Sequence, residues 1–338
     1  MDIQFILLII GLILAFLLAV NIGGNDAANP TSAAVGSGVL SIRRALLMFA
    51  LFTVAGSALQ GFMVMKTIGQ GIVPSIDVVG AIAIVLAANI WILFATIRGM
   101  AISTGHSIIA AVVGYGIMQY AITGLNYTVL GSIVLSWIIS PLCAIVVAIL
   151  IYRGIGSYIK KYHGNPETLT KFFRWLLIGF LCFAAYSFGA NDVSHATGVY
   201  ITIASQVGKI TDQMAMFLLA VFGAVGLVVG GLIFGPKVIQ TLAFQVTHLD
   251  LNTALSATMS NAIVVYIFAT VPYLIWGYGI PISSSYVAVG AIIGAGMARS
   301  VSSVSKAVSL KLISYWIITV PANILLAMGI YYLLKLFF

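Results

Sequence analysis

Apolar runs of about twenty residues, the length that crosses the hydrocarbon of a bilayer as a helix, recur about ten times along this chain. They leave it little to become except a bundle of membrane helices. Residues 3–22, 45–65, 76–97, 126–152, 172–189, 211–235, 251–275 and 307–336 read as spans, and two runs rich in small residues, 103–119 and 282–298, complete the set. Composition agrees: 62% of the 338 residues are hydrophobic and 7% are charged, with a mean hydropathy of +1.17, far from that of soluble domains. The first run is read as a span rather than a signal peptide, because Met1-Asp2 lacks basic charge and the run leads straight into a polar break. The expected fold is all-α and polytopic, with about 10–12 membrane segments, some broken or re-entrant.

That polar break is Asn21-Ile22-Gly23-Gly24-Asn25-Asp26-Ala27-Ala28-Asn29-Pro30, and it returns as Phe188-Gly189-Ala190-Asn191-Asp192-Val193-Ser194-His195-Ala196. A carboxylate at bilayer depth costs roughly 2.5–3.5 kcal/mol even on lenient insertion scales, so such residues mark function. A helix interrupted here, capped again by Asn29 with Pro30 at its first position, exposes backbone carbonyls beside amide and carboxylate oxygens. Those are hard ligands suited to a small alkali cation. Asn25, Asp26, Asn29, Asn191 and Asp192 are the candidate cation ligands, with Asn21 and His195 as additional members. A second repeated constellation is Ser103-Thr104-Gly105-His106-Ser107, echoed by Ser283-Ser284-Ser285-Tyr286. Both are hydroxyl clusters at the start of a small-residue helix, where free N–H groups and the positive dipole end favour a tetrahedral oxyanion. Neither cluster holds Lys or Arg, which leaves neutral donors and a bound cation to balance the anion's charge.

The motifs keep their order in the two halves. Gly23, Asn25, Asp26 and Thr31 match Gly189, Asn191, Asp192 and Thr197 at a spacing of 166, whereas Ser103, Gly114, Gly116 and Pro141 match Ser283, Gly294, Gly296 and Pro321 at 180. The chain reads as a duplication: a first membrane repeat at 1–152, a basic cytoplasmic linker at 153–171 and a second repeat at 172–338. Five crossings per half make the repeats inverted. With the N-terminus outside, twelve Lys and Arg fall on the cytoplasmic side against Lys66, Lys209 and Lys335 outside, so both termini are expected to be extracytoplasmic in a multi-pass cell-membrane protein. The formal charge of +8 then records orientation, not nucleic acid. Cys143 and Cys182 are too few and too isolated for a disulfide framework or a metal site.

At these residues the sequence resembles the inorganic phosphate transporter (PiT) family, whose signature is a duplicated Gly-Ala-Asn-Asp-Val-Ala-Asn-Ala motif, and the likeness runs over nearly the full length. The resemblance implies a cation-coupled phosphate symporter and not an enzyme. The Asn-Asp motifs would serve the coupling sodium, with protons as the alternative, and the Ser-Thr clusters would serve phosphate. Alternating access would move the bundle holding both motif pairs against the remaining spans, and a homodimer in the lipid bilayer is compatible with the scaffold. Two departures stand out: His195 replaces the second Asn of the downstream motif, and Ser284-Ser285-Tyr286 stands where the family has Thr-Thr-His. Related permeases carry sulfate, so the anion does not follow from the fold. A different class with two membrane aspartates, the intramembrane aspartyl protease, shares a Gly-x-Gly-Asp-like stretch but does not need the repeated hydroxyl clusters.

Overall fold

A computed structural model describes residues 3–98, 102–244, 248–300 and 305–337, and among these all the regular secondary structure is helical. The first half comprises α1 (Ile3–Asp26), α2 (Ala28–Gly36), α3 (Ile42–Gln60), α4 (Phe62–Gln70), α5 (Val78–Ile97), α6 (Thr104–Tyr120) and α7 (Tyr127–Lys161). The second comprises α8 (Pro166–Thr197), α9 (Ile201–Gly208), α10 (Asp212–Ile233), α11 (Gly235–Phe244), α12 (Leu251–Trp276), α13 (Ser284–Arg299) and α14 (Lys306–Leu334). Side chains that bond the first turn set many of the starts: Asp77 accepts from the Gly80 N–H at 2.6 Å ahead of α5, and Asp250 forms a reciprocal pair with Thr253 ahead of α12.

Among the described residues, eight stretches are long and apolar enough to cross a membrane. The runs at 103–119 and 282–298 are not among them. They form α6 and α13, of 17 and 16 residues, about 25 Å long at 1.5 Å per residue and short of the ~30 Å hydrocarbon core. The residues just ahead of them, Ser103 and Ser283, are buried, so both helices begin inside the bundle. The basic stretch 153–171 is likewise mostly helix, with only residues 162–165 lying between the end of α7 and the start of α8.

Packing follows the duplication. α3 lies on α8 as α10 lies on α1; α13 lies on α7 as α6 lies on α14; α12 meets α8 as α5 meets α1. The first two pairings join one half of the chain to the other, so the halves are interlocked, and the third lies within each half. Glycines set the closest approaches: a Cβ on Gly230 would overlap the Val20 carbonyl and one on Gly23 the Leu227 carbonyl, while Gly189 and Gly56 do the same between α8 and α3. Matching glycines make matching contacts, since Gly114 faces Ile324 of α14 and Gly294 faces Ile145 of α7. The helix ends correspond as well. α6 finishes beside the start of α5, where Tyr120 donates to the Ser75 carbonyl at 2.9 Å. α13 finishes beside the start of α12, where Arg299 meets Asp250 at 3.7 Å.

The polar motifs do not break the chain as expected. Only Ala27 separates α1 from α2; it keeps helical φ and ψ of −56° and −23°, and its N–H still reaches the Gly23 carbonyl at 3.0 Å. Asn29 is therefore not a cap, and its amide is directed elsewhere. The second motif lies wholly within α8. The helical ladder survives because the surrounding helices accept the polar side chains, so no rupture is needed to satisfy them. One gap remains: Pro30 has no N–H, which deprives the Asp26 carbonyl of its usual donor four residues on.

Candidate functional site

The two Asn-Asp motifs and the two hydroxyl clusters form one site, at the meeting of α1, α2 and α8 with the starts of α6 and α13. Thr104 Oγ1 donates to Asp26 Oδ2 at 2.6 Å, and its counterpart Ser284 Oγ donates to Asp192 Oδ1 at 2.9 Å. The next residue, Ser285, crosses to the other motif and donates to Asp26 Oδ1 at 2.9 Å. Two consecutive serines thus serve the carboxylates of opposite halves. Asp26 and Asp192 are both fully buried, and among the described residues no Lys or Arg forms an ion pair with either. Two buried negative charges without a cationic partner are costly unless hydroxyls and a further positive charge compensate them.

The paired asparagines act as clamps. The Ile102 N–H donates to Asn25 Oδ1 at 3.1 Å, and the Ile282 N–H donates to Asn191 Oδ1 at 3.3 Å. Each motif thereby holds the backbone just ahead of its own hydroxyl cluster. Asn25 Nδ2 continues to Thr96 Oγ1 at 3.1 Å. Asn191 Nδ2 donates to the Ile282 carbonyl at 3.1 Å and to Asp192 Oδ2 at 3.0 Å. Asn29 Nδ2 spans to Ser284 Oγ at 3.1 Å and Ser285 Oγ at 3.2 Å, which leaves its buried Oδ1 without a hydrogen-bond partner.

Other candidates serve the helices themselves. Ser103 and Ser283 are N-caps, accepting from the His106 N–H at 3.1 Å and the Tyr286 N–H at 3.2 Å. Ser107 donates to the Ser103 carbonyl at 3.1 Å. Replacing either cap by Ala is therefore expected to lower stability by about 1 kcal/mol, read as reduced thermal stability in detergent. Asn21 lies apart from the carboxylates, donating to Asn89 Oδ1 at 2.8 Å between α1 and α5.

His106 and Tyr286, equivalent positions in the two halves, meet each other. The Tyr286 hydroxyl and His106 Nδ1 are 3.0 Å apart, and the pair is sandwiched between Trp137, 3.6 Å from the imidazole centroid, and Trp316, 3.7 Å from the phenol centroid. His106 Nε2 is buried and unpartnered. Asn261 of α12 is a member that the sequence reading missed. It donates to the Asn29 carbonyl at 3.1 Å and keeps its own Oδ1 buried without a partner. An amide in the middle of an otherwise apolar span was the available signal.

Comparison with known proteins agrees with this architecture. The sequence profile of the phosphate transporter family matches residues 22–327. The chain is 29% identical to "Putative phosphate permease PF1020" of Pyrococcus furiosus over 94% of its own length and 93% of that protein's. It is 30% identical to "Putative phosphate permease PH0640" of Pyrococcus horikoshii, over 93% and 94% respectively. It also superposes on a solved structure described as the sodium-dependent phosphate transporter with a TM-score of 0.86 and 25% identity, covering 98% of this chain and all of the other.

Proposed function

Because the chain belongs to the phosphate transporter family, we propose that it is a sodium-coupled symporter of inorganic phosphate in the cell membrane, working by alternating access. Sodium is cargo here, as phosphate is. The family is one of transporters, which sets aside the protease reading of the two aspartates.

The observation that carries the proposal is the engagement of Thr104, Ser284 and Ser285 with the two buried carboxylates. While these hydroxyls donate to Asp26 and Asp192, their protons are turned away from an anion, and two negative charges oppose its arrival. A cation on the carboxylates reverses both conditions. It neutralises charge in a low-dielectric site and takes over the oxygens that hold the hydroxyl protons, freeing Thr104, Ser284 and Ser285 to donate to phosphate. Ordered binding of this kind links the two cargoes: phosphate binds well only after the cation, as coupling free energy requires. The residues fit a hard cation, because Asp26 supplies carboxylate oxygens and Asn29 a buried amide oxygen with no other partner. The N–H groups at the starts of α6 and α13 add to the anion cradle. Asn25 and Asn191 position these helix starts. The membrane orientation belongs to the proposal as well, with both termini extracytoplasmic on the strength of the Lys and Arg distribution.

The test is uptake of labelled phosphate and labelled sulfate into proteoliposomes under separately imposed sodium and proton gradients. Phosphate accumulation driven by sodium alone is expected; accumulation of sulfate instead, or drive by protons alone, refutes the assignment. Replacing Ser284 and Ser285 together by Ala is expected to raise the apparent phosphate Km about tenfold, the effect of losing ~1.4 kcal/mol of hydrogen bonding. An unchanged Km would remove the hydroxyls from the anion cradle.

A further inference from the structure

The duplicated site is unequal at two positions, and the two differences touch each other. Asn29 in the first half corresponds to His195 in the second at the spacing of 166, and Gly105 corresponds to Ser285 at 180. In one half the amide of Asn29 meets the hydroxyl of Ser285 at 3.2 Å. In the other the imidazole of His195 lies against Gly105, where an added Cβ would stand 3.0 Å from Cε1 and 3.2 Å from Nε2. A short side chain thus faces a hydroxyl across one seam, and a long one faces a bare glycine across the other. The two positions fit each other as a pair: a side chain at 105 would crowd His195, and the shorter Asn at 195 would leave a gap over Gly105.

The exchange changes what each half offers a cation. The hydroxyls of Thr104 and Ser285 both donate to Asp26, and Asn29, whose amide nitrogen meets Ser284 and Ser285, carries a buried amide oxygen with no hydrogen-bond partner. Around Asp192 only Ser284 remains of that set. The hydroxyl is lost at Gly105, and the amide oxygen is replaced by an imidazole whose Nδ1 lies 3.5 Å from Asp192 Oδ1. Both ring nitrogens are buried without a hydrogen-bond partner. Nitrogen is a poor ligand for a hard alkali cation. The residues at Asp192 do not fit sodium.

We propose that the chain carries its sodium at the Asp26 half alone, and that the His195–Gly105 pair closes the Asp192 half to sodium and so sets the ion count of the transport cycle. The inference rests on the sodium-coupled reading and narrows it.

The experiment uses the full chain in detergent and in proteoliposomes. Sodium-dependent thermal stabilisation and the flux ratio of labelled sodium to labelled phosphate are measured for the wild type, for His195→Asn with Gly105→Ser, and for Asp26→Asn. The double variant, which recreates the Asn29–Ser285 pairing, is expected to carry one more sodium per phosphate than the wild type and to show a steeper sodium dependence. An unchanged ratio overturns the proposal. Asp26→Asn keeps it falsifiable where the double variant does not fold. With a single sodium site its sodium-dependent stabilisation vanishes, whereas a residual sodium response places an ion at Asp192 and overturns the proposal with the symport reading intact. A wild type that neither binds sodium nor moves it with phosphate overturns both.

Discussion

Asp26→Asn is expected to lower sodium-driven phosphate uptake by about 100-fold, the consequence of ~3 kcal/mol lost from cation binding, while the protein stays folded. Asn has the same shape as Asp. Its carbonyl oxygen still accepts from Thr104, which donates at 2.6 Å in the native site, and its amide can donate to Ser285 Oγ. What disappears is the charge that, on the proposed function, draws a cation into a buried site where no Lys or Arg among the described residues pairs with the carboxylate. Uptake under an inward sodium gradient, beside a thermal unfolding curve in detergent, separates loss of function from loss of fold. Near-normal accumulation with an unaltered sodium requirement would show that Asp26 is not an ion ligand.

The largest structural effect is expected from a single methyl. Gly230→Ala places a Cβ on the Val20 carbonyl of α1, at a contact where neither side can yield because both are helix backbone. α1 and α10 must then separate along their whole interface, and the reciprocal contact between Gly23 and Leu227 goes with it. A loss of about 3 kcal/mol or more is expected, at or beyond the upper end of ordinary overpacking, read as a large drop in thermal stability and in the folded fraction recovered from membranes. Gly179→Ala is the control. It lies in α8 with nothing within 4 Å of its added Cβ, and the better helix propensity of Ala makes it neutral or stabilising by up to ~1 kcal/mol. Equal behaviour of the two variants would refute the close-packing account of the α1–α10 pair.

Much of the molecule was legible beforehand because its signals are local or exactly repeated in spacing. Runs of apolar residues locate the long helices, and equal offsets between distant motifs betray a duplication whatever the fold. Two features were misread for a physical reason. Gly, Asn and Asp in an apolar run looked like a rupture of the helix, because a single helix in hydrocarbon has nothing to offer such side chains. In the bundle Thr104, Ser284, Ser285 and Ile102 satisfy them, and the helix continues. The runs starting at 103 and 282 looked like full spans since hydropathy does not say where a helix begins; buried Ser103 and Ser283 place both starts inside the protein.

The amino-acid order alone determines an all-helical membrane chain, its internal duplication and the residue types of the site, because hydrophobic length and repeat spacing are properties of the chain itself. Only the tertiary structure decides that the Asn-Asp motifs and the hydroxyl clusters are one site, that Ser285 serves the opposite half, that Asn261 belongs with Asn29, and that His195 is matched to Gly105. Those facts depend on which atoms come within about 3 Å of one another. The partners stand as far as 259 residues apart in sequence, and a buried polar group is satisfied or orphaned by whichever neighbour packing brings to it.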